Sequence, residues 1–186
     1  MQEVMFMKYI KKINSKGFML AETLIVSIFV LSIFSMLYIN LLPLIADYET
    51  EQKYNTVEAT YNAHWARKII LDGLGEENFS TVVNNGYLDV SDCLLYNRNN
   101  MEDWCGNYKT VNEINKIYLT TYNLEKFKNA VENSTTYRRE FKEYIDYLPT
   151  YSKNSAKVNN SNYFHVIIEY SKGSEYNYGI MEVHIR

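Results

Sequence analysis

Three histidines are the first side chains to consider for metal binding or acid–base chemistry. His64, His165 and His184 are widely separated along the chain. His165 and His184 fall on the two strands of a predicted hairpin, where a metal pair is geometrically possible, although two half-exposed strand histidines are the commoner arrangement. His64 stands beside Trp65 on a predicted helix, with no second histidine within four residues. Because phosphate-loop, nucleophile-elbow and CxxC patterns are also missing, we predict no enzymatic activity, no metal and no cofactor.

Four carboxylates lie near one another in the sequence and could contribute to a cation site: Asp89, Asp92, Glu102 and Asp103. Their spacing does not match that of an EF-hand loop. A solvated acidic surface is the favoured interpretation, and a Ca²⁺ site is the alternative.

The chain has two cysteines, Cys93 and Cys105. Both would lie outside the membrane in the topology argued below, where a disulfide is allowed. A bridge of this size contributes roughly 3 kcal/mol on the chain-entropy model and would constrain Trp104. Two separate thiols, buried or exposed, are the alternative.

One carboxylate, Glu22, lies where a charge is costly. It is the only charged residue between Phe18 and Leu42. An ionised side chain in an apolar helix costs on the order of 2.5–3.5 kcal/mol on insertion scales and is expected to find a partner. No Lys, Arg or His occurs between Gly17 and Pro43, so the helix itself supplies no counter-charge.

The elements that position these groups follow from an uneven composition. The 186 residues are 47% hydrophobic with a net charge of −3. Residues 1–17 are basic, at about +3, and the part after Leu44 is acidic, at about −5. The apolar block between them excludes a uniformly soluble enzyme, and its being the only such block excludes a multi-span membrane protein. The acidic remainder predicts no binding to nucleic acid.

The apolar block predicts one membrane-spanning helix. From Phe18 to Leu42 a helix is roughly 37 Å long, more than the roughly 30 Å of a bilayer's hydrocarbon core. The basic residues predict a cytoplasmic N-terminus, with everything after Pro43 outside. A secretory signal peptide would be shorter, with small residues at its cut, and a buried soluble helix would be interrupted by polar positions.

The boundary of this block reads Lys16-Gly17-Phe18-Met19-Leu20-Ala21-Glu22. It resembles the class III signal of the type IV prepilin and pseudopilin family, and the match covers residues 8 to 45. The resemblance implies that a prepilin peptidase removes a leader of residues 1–17 by cutting between Gly17 and Phe18, and that the same enzyme methylates the new amino terminus of Phe18.

This resemblance also implies an assembly role for Glu22. Cutting after Gly17 would create the Phe18 ammonium four residues away, about 6 Å along the helix axis. In parallel, staggered helices the ammonium of one subunit could meet Glu22 of its neighbour. The alternative is a Glu22 that snorkels to the cytosolic headgroups.

Beyond the span, the pattern predicts that the helix continues to about Leu71, kinked at Pro43 and ended by Gly73. The fourfold spacing of Val57, Tyr61, Trp65 and Ile69, with Ala66 and Ile70 beside them, predicts its buried stripe.

The rest of the chain is predicted to form a head of both helices and strands. Thr81–Val83 and Tyr87–Val90, joined by Asn-Gly, predict a hairpin. Residues 123–148 predict helix with a break near 133–135, ended by Pro149. A polar loop over 150–162 precedes a predicted hairpin of Tyr163–Tyr170 and Tyr176–Ile185.

These patterns predict an α+β fold: a long N-terminal helix, transmembrane in its lower half and amphipathic in its upper half, packed on a small antiparallel-sheet head. The expected organisation is a leader (1–17), an assembly helix (18–42) and an extracytoplasmic pilin-like head (43–186).

The expected function is that of a minor pilin or pseudopilin in a type IV pilus, type II secretion or competence-type filament. Met19 and Ala21 depart from the usual major-pilin residues, which favours a minor subunit. The implied partners are prepilin peptidase, other pilin subunits and the cytoplasmic membrane, which the chain crosses once before joining an extracytoplasmic filament. The alternative is a signal-anchored protein with an extracytoplasmic binding head that does not polymerise.

Overall fold

The computed structural model describes the backbone of residues 2–149, 151 and 155–185, and the side chains within these ranges from Phe18 onward. The side chains of the predicted leader therefore lie outside the described residues. The chain divides into two compact units, residues 1–51 and 52–186.

Helix α1 spans Gln2–Tyr54 and contains Pro43. The prediction of one continuous helix to Leu71 is wrong, because α1 ends at Tyr54 and a separate helix, α2, spans Val57–Gly73. Thr56 adopts an extended conformation between them, and its Oγ1 accepts a hydrogen bond from the amide of Ala59 at 3.0 Å. A threonine at this position satisfies an otherwise free amide of a new helix, which stabilises the interruption.

The second unit is an antiparallel sheet of four strands with the order β1-β2-β3-β4. The strands are β1 (Tyr87–Asp89), β2 (Ile114–Thr121), β3 (Tyr163–Lys172) and β4 (Glu175–His184). The remaining helices are α3 (Glu76–Asn85), α4 (Glu102–Val111), α5 (Glu125–Asn133) and α6 (Arg139–Tyr147). The predicted α+β class, with a long N-terminal helix and a small antiparallel sheet, is confirmed.

Helices cover both faces of this sheet. Because side chains alternate along a strand, Phe164, Val166 and Ile168 of β3 belong to a core shared with α2, α3 and α4. Ile167 faces the other way, into a core rich in tyrosine that is shared with α5 and α6. The predicted arrangement of one helix on one sheet face therefore describes only half of the unit.

The face of α2 that packs on the sheet follows the predicted stripe only in part, since Ala66, Ile69 and Ile70 are buried as predicted and Trp65 is partly buried. Val57 is 88% exposed and Tyr61 is 55% exposed, whereas α2 buries a set of mostly small residues: Ala59, Asn62, Ala63, Ala66, Ile69, Ile70 and Gly73. The reason is a close approach to β4. A Cβ added at Gly179 would lie only 2.6 Å from the Ala59 carbonyl oxygen, so large side chains do not fit between helix and strand at this end of α2.

The predicted hairpin over Thr81–Val90 is also wrong. Residues 76–85 form helix α3, and Gly86 ends it in the left-handed region at φ 91°, with its amide donating to the Val82 carbonyl at 2.7 Å. Asn-Gly supplies positive φ in both a hairpin turn and a helix C-terminus, so the motif fits either. Strand β1 pairs instead with β2, an element that the sequence patterns did not predict.

The C-terminal part follows the predicted pattern. Two helices, α5 and α6, are separated near residues 133–135, and α6 ends just before Pro149. The C-terminal hairpin is confirmed, with Tyr163 opposite His184 and Lys172 opposite Glu175. In the predicted polar loop, residues 150 and 152–154 lie outside the described residues, and 155–162 form turns.

His165 is the buried histidine of β3, at 3% exposure. Its ring stacks between Tyr122 and Tyr151, with centroid distances of 4.5 and 5.0 Å. Burial lowers its pKa to about 4, against a smaller opposing effect of the Glu182 carboxylate. The Nδ1 atom of His165 has no hydrogen-bond partner among the described residues. The native structure thus favours the neutral imidazole.

We predict that Gly179→Ala destabilises the second unit by about 1–3 kcal/mol, because strand and helix backbones must separate to admit the methyl group. The measurement is thermal unfolding of the full-length protein in detergent micelles, followed by tryptophan fluorescence, since both tryptophans lie in this unit. Gly106→Ala is the matched control: no atom lies within 4 Å of an added Cβ there. Unfolding of Gly179→Ala at the wild-type temperature would contradict the close approach.

We predict that the free energy of unfolding falls as pH drops from about 7 to about 4. Since the pKa of His165 is about 4 in the native state and near 6.5 in the unfolded chain, the unfolded chain binds more protons in this window. The loss is roughly 3 kcal/mol. His165→Phe keeps an aromatic stack and should flatten the pH dependence, whereas His184→Phe, at an exposed site, should not. An equally steep loss in His165→Phe would assign the effect to other groups.

Candidate functional site

The apolar segment of α1 is exposed on all sides. Every side chain from Phe18 to Glu49 is exposed, and an 18-residue window reaches a mean hydropathy of 2.3. By length and composition, the part of α1 from Phe18 to Tyr54 is the one helix among the described residues that could cross a membrane. A helix that is apolar all round needs lipid or other apolar helices around it.

Several polar side chains in this segment form their hydrogen bonds within the helix. The Thr23 hydroxyl donates to the Met19 carbonyl at 3.0 Å, and the Ser27 hydroxyl donates to the Thr23 carbonyl at 2.7 Å. Ser32 and Asn40 donate in the same way to carbonyls four residues earlier. These side chains therefore need no water, which is the condition for residing in hydrocarbon.

Glu22 differs from these neighbours. Its exposed carboxylate has no hydrogen-bond or ion-pair partner among the described residues. The nitrogen of Phe18 lies one turn earlier in the helix, about 6 Å along the axis. In the intact chain that nitrogen is part of an uncharged peptide bond, and hydrolysis of the Gly17–Phe18 bond would convert it into an ammonium. The arrangement thus places a potential cation and a free carboxylate at the same end of the apolar segment.

The histidines do not form a metal site. His165 is buried between two tyrosines, and exposed His184 stacks on Tyr163 at a centroid distance of 4.3 Å. The two histidines lie on adjacent strands, but the residue opposite His165 is Glu182. His64 is exposed on α2. In the part of the chain that the structure describes, no group of three or more metal-ligating side chains is found.

The four candidate carboxylates have separate structural roles. Asp89 pairs with Lys116 at 2.7 Å. Burial alone would raise the pKa of Asp89, but hydrogen bonds from Lys116 and Ser91 and the charge of Lys116 lower it overall. The Asp92 carboxylate accepts from the Leu94 amide at 3.0 Å and caps a short helical turn. Glu102 and Asp103 lie in the first turn of α4, where negative charge is favoured. A shared Ca²⁺ site therefore finds no support.

Cys93 and Cys105 are joined by a disulfide, with a Cα–Cα distance of 5.5 Å. Cys105 is fully buried in the core beneath α2. The neighbouring Trp104 stacks on Trp65 of α2 with ring centroids 5.7 Å apart, yet remains 53% exposed. The bond therefore holds an exposed tryptophan against α2.

A groove of about 940 Å³ was not predicted from the sequence. It lies between α2, α3 and the end of β4, and its lining includes Arg67, Phe79, Arg98, Phe164 and Ile185. These residues come from segments that are up to more than 100 positions apart in the sequence, so no local sequence motif predicts the groove. Arg67 and Arg98 are the described cationic side chains of this lining apart from His184, but no sequence pattern brings the two arginines together.

Two features remain as candidates for function, the apolar helix with Glu22 and the groove with its arginines. Comparison with family models, with curated proteins and with solved structures finds no match to this chain. Any functional assignment therefore rests on the chain's own residues and their geometry.

Proposed function

We propose that this chain is a structural subunit, a minor pilin or pseudopilin, of a type IV pilus, type II secretion or competence-type filament. The observation that carries the proposal is the Lys16-Gly17-Phe18 boundary at the start of an apolar helix whose only charge is Glu22. In this function a prepilin peptidase cuts after Gly17 and methylates the amino group of Phe18. The subunit then passes from the cytoplasmic membrane into an extracytoplasmic filament.

Exposure of the apolar helix supports this function. Large side chains on all of its sides, such as Phe18, Ile25, Phe29 and Leu31, are 65–73% exposed. A bilayer covers such a surface before assembly, and the equivalent helices of other subunits cover it afterwards. Transfer between two apolar surroundings changes the hydrophobic free energy little, so van der Waals packing and polar pairing decide which helices associate.

Glu22 supplies the polar pairing. In parallel helices displaced along the filament axis, its carboxylate can meet the Phe18 ammonium of a neighbouring subunit. At 4 Å the Coulomb energy is roughly 4 kcal/mol at an effective dielectric constant near 20, before the cost of desolvation. Because desolvation removes much of that gain, the pair contributes mainly to register between subunits.

In the proposed function, the head of the subunit determines what the filament contacts. Val57, Tyr61 and Trp104 leave apolar and aromatic surface on the outside of the second unit. Aromatic side chains are enriched in protein interfaces, so this surface suits contact with other subunits or with a target.

A non-polymerising membrane anchor with a binding head is the second candidate function. It is favoured by the position of Glu22 near one end of the apolar segment, from which its carboxylate could reach the lipid headgroups.

We predict that protein isolated from cells with an active prepilin peptidase begins at an N-methylated Phe18. Mass spectrometry of the purified protein measures this directly. Gly17→Val should leave the chain uncut, because a branched side chain replaces the residue that precedes the cut bond. Ala21→Val, an apolar change on the other side of that bond, is the control and should be cut normally. Intact Met1 in the wild-type protein would contradict the proposed function.

We predict that Glu22→Gln leaves cleavage intact but lowers incorporation into sheared filaments by about tenfold, the effect of losing about 1.4 kcal/mol of pairing between subunits. Immunoblots of the filament and membrane fractions measure the ratio. Asp47→Asn removes an exposed carboxylate beyond the apolar segment and should incorporate normally. Wild-type incorporation of Glu22→Gln would favour a carboxylate that only snorkels to headgroups.

A further inference from the structure

The groove between α2, α3 and the end of β4 contains the described arginines of the second unit that have no carboxylate partner. Among the described arginines, Arg138 pairs with Glu169 at 3.4 Å and Arg139 pairs with Glu143 at 3.2 Å. Arg67 and Arg98 have no carboxylate partner in the described part of the chain, and both line this groove.

Each of these arginines has a defined position. Arg67 is half-buried on α2, one turn before Leu71, which also lines the groove. The Arg98 Nη1 atom donates to the Leu74 carbonyl at 3.4 Å, where the chain leaves α2. That bond uses one of five guanidinium donors, so the others remain for a ligand. Both guanidinium groups therefore border the same space without being neutralised.

The floor of the groove is apolar. Phe79 of α3 and Phe164 of β3 pack edge to face with centroids 5.4 Å apart, and Ile185 completes this floor. The polar side chains of Asn84 and Asn162 lie in the same lining. The surface thus combines carboxylate-binding cations, amide groups able to pair with a peptide backbone, and an apolar base.

We propose that this groove binds an acidic peptide segment of a partner protein, with apolar side chains between its carboxylates. Charge complementarity carries the choice, since the described part of the lining holds two arginines without a carboxylate partner against a single carboxylate, Glu76, and a guanidinium matches a carboxylate in a bidentate geometry. A nucleic acid fits less well, because it requires a basic stripe along its phosphates, whereas the described lining holds two arginines and no lysine. The inference goes beyond the filament role and does not depend on cleavage at Gly17.

The test uses the full-length chain in detergent micelles and a fluorescein-labelled hexapeptide that alternates glutamate with leucine. We expect saturable binding by fluorescence anisotropy, weakened by added salt. Arg67→Gln and Arg98→Gln should each weaken it about tenfold, the usual effect of losing a hydrogen bond to a charged group. Arg139→Gln is the matched control, since that arginine pairs with Glu143 on α6, and should bind as the wild type does.

Two further probes decide the class of ligand. A hexapeptide that alternates glutamine with leucine should bind at least tenfold more weakly, because it keeps the apolar side chains without the carboxylates. A thymidine hexanucleotide should also bind more weakly than the acidic peptide. Absence of saturable binding, equal binding by the Arg67→Gln variant, or tighter binding of the nucleotide would each overturn the proposal. Leader cleavage is measured separately on the same preparation, so failure of this proposal is distinct from failure of the filament role.

Discussion

The apolar surface of α1 is the constraint that any surroundings of this protein must satisfy. Burial of apolar surface is worth about 25 cal/mol per Å², and α1 exposes large side chains on every side from Phe18 to Ile45. Such a helix is not stable alone in water and must be covered by lipid or by other apolar helices. Thr23 and Ser27 satisfy their hydroxyl groups inside the helix, whereas the carboxylate of Glu22, the one charged group from Phe18 to Leu42, has no partner among the described residues.

A different constraint, the distance between backbones, organises the second unit. The Ala59 carbonyl approaches Gly179 so closely that there is no room for a side chain. Small residues therefore face β4 near Gly179, whereas Tyr61 is exposed and Trp65 is only partly buried against the core. The disulfide holds Trp104 against Trp65. Packing of the core and exposure of an aromatic surface are thus two results of the same helix orientation.

Local sequence patterns predicted the elements that depend on residues close to one another in the chain. The C-terminal hairpin could be predicted because its two β-rich runs are adjacent in the sequence. Helices α5 and α6 could be predicted from the helical spacing of their apolar residues and from Pro149. The predicted stripe on α2 included Val57 and Tyr61 because hydrophobicity favours burying large side chains, but near Gly179 the helix lies too close to β4 to bury them, whereas the predicted Ile69 is buried. Asn-Gly before Tyr87 required a positive φ in either case, so it could not distinguish a hairpin from the end of α3. Strand β2 is central in the sheet, yet its place depends on pairing with residues about fifty positions away.

The sequence by itself determined the apolar segment, its single carboxylate and the Gly17–Phe18 boundary, because these depend only on composition and order along one helix. The tertiary structure decided which face of α2 is buried, how His165 is stacked and which arginines remain unpaired. Each of these depends on contacts between residues far apart in the chain. Hydrophobicity and spacing indicate which side chains are stabilised by burial, whereas the distance between a helix and a sheet decides which of them have room to be buried.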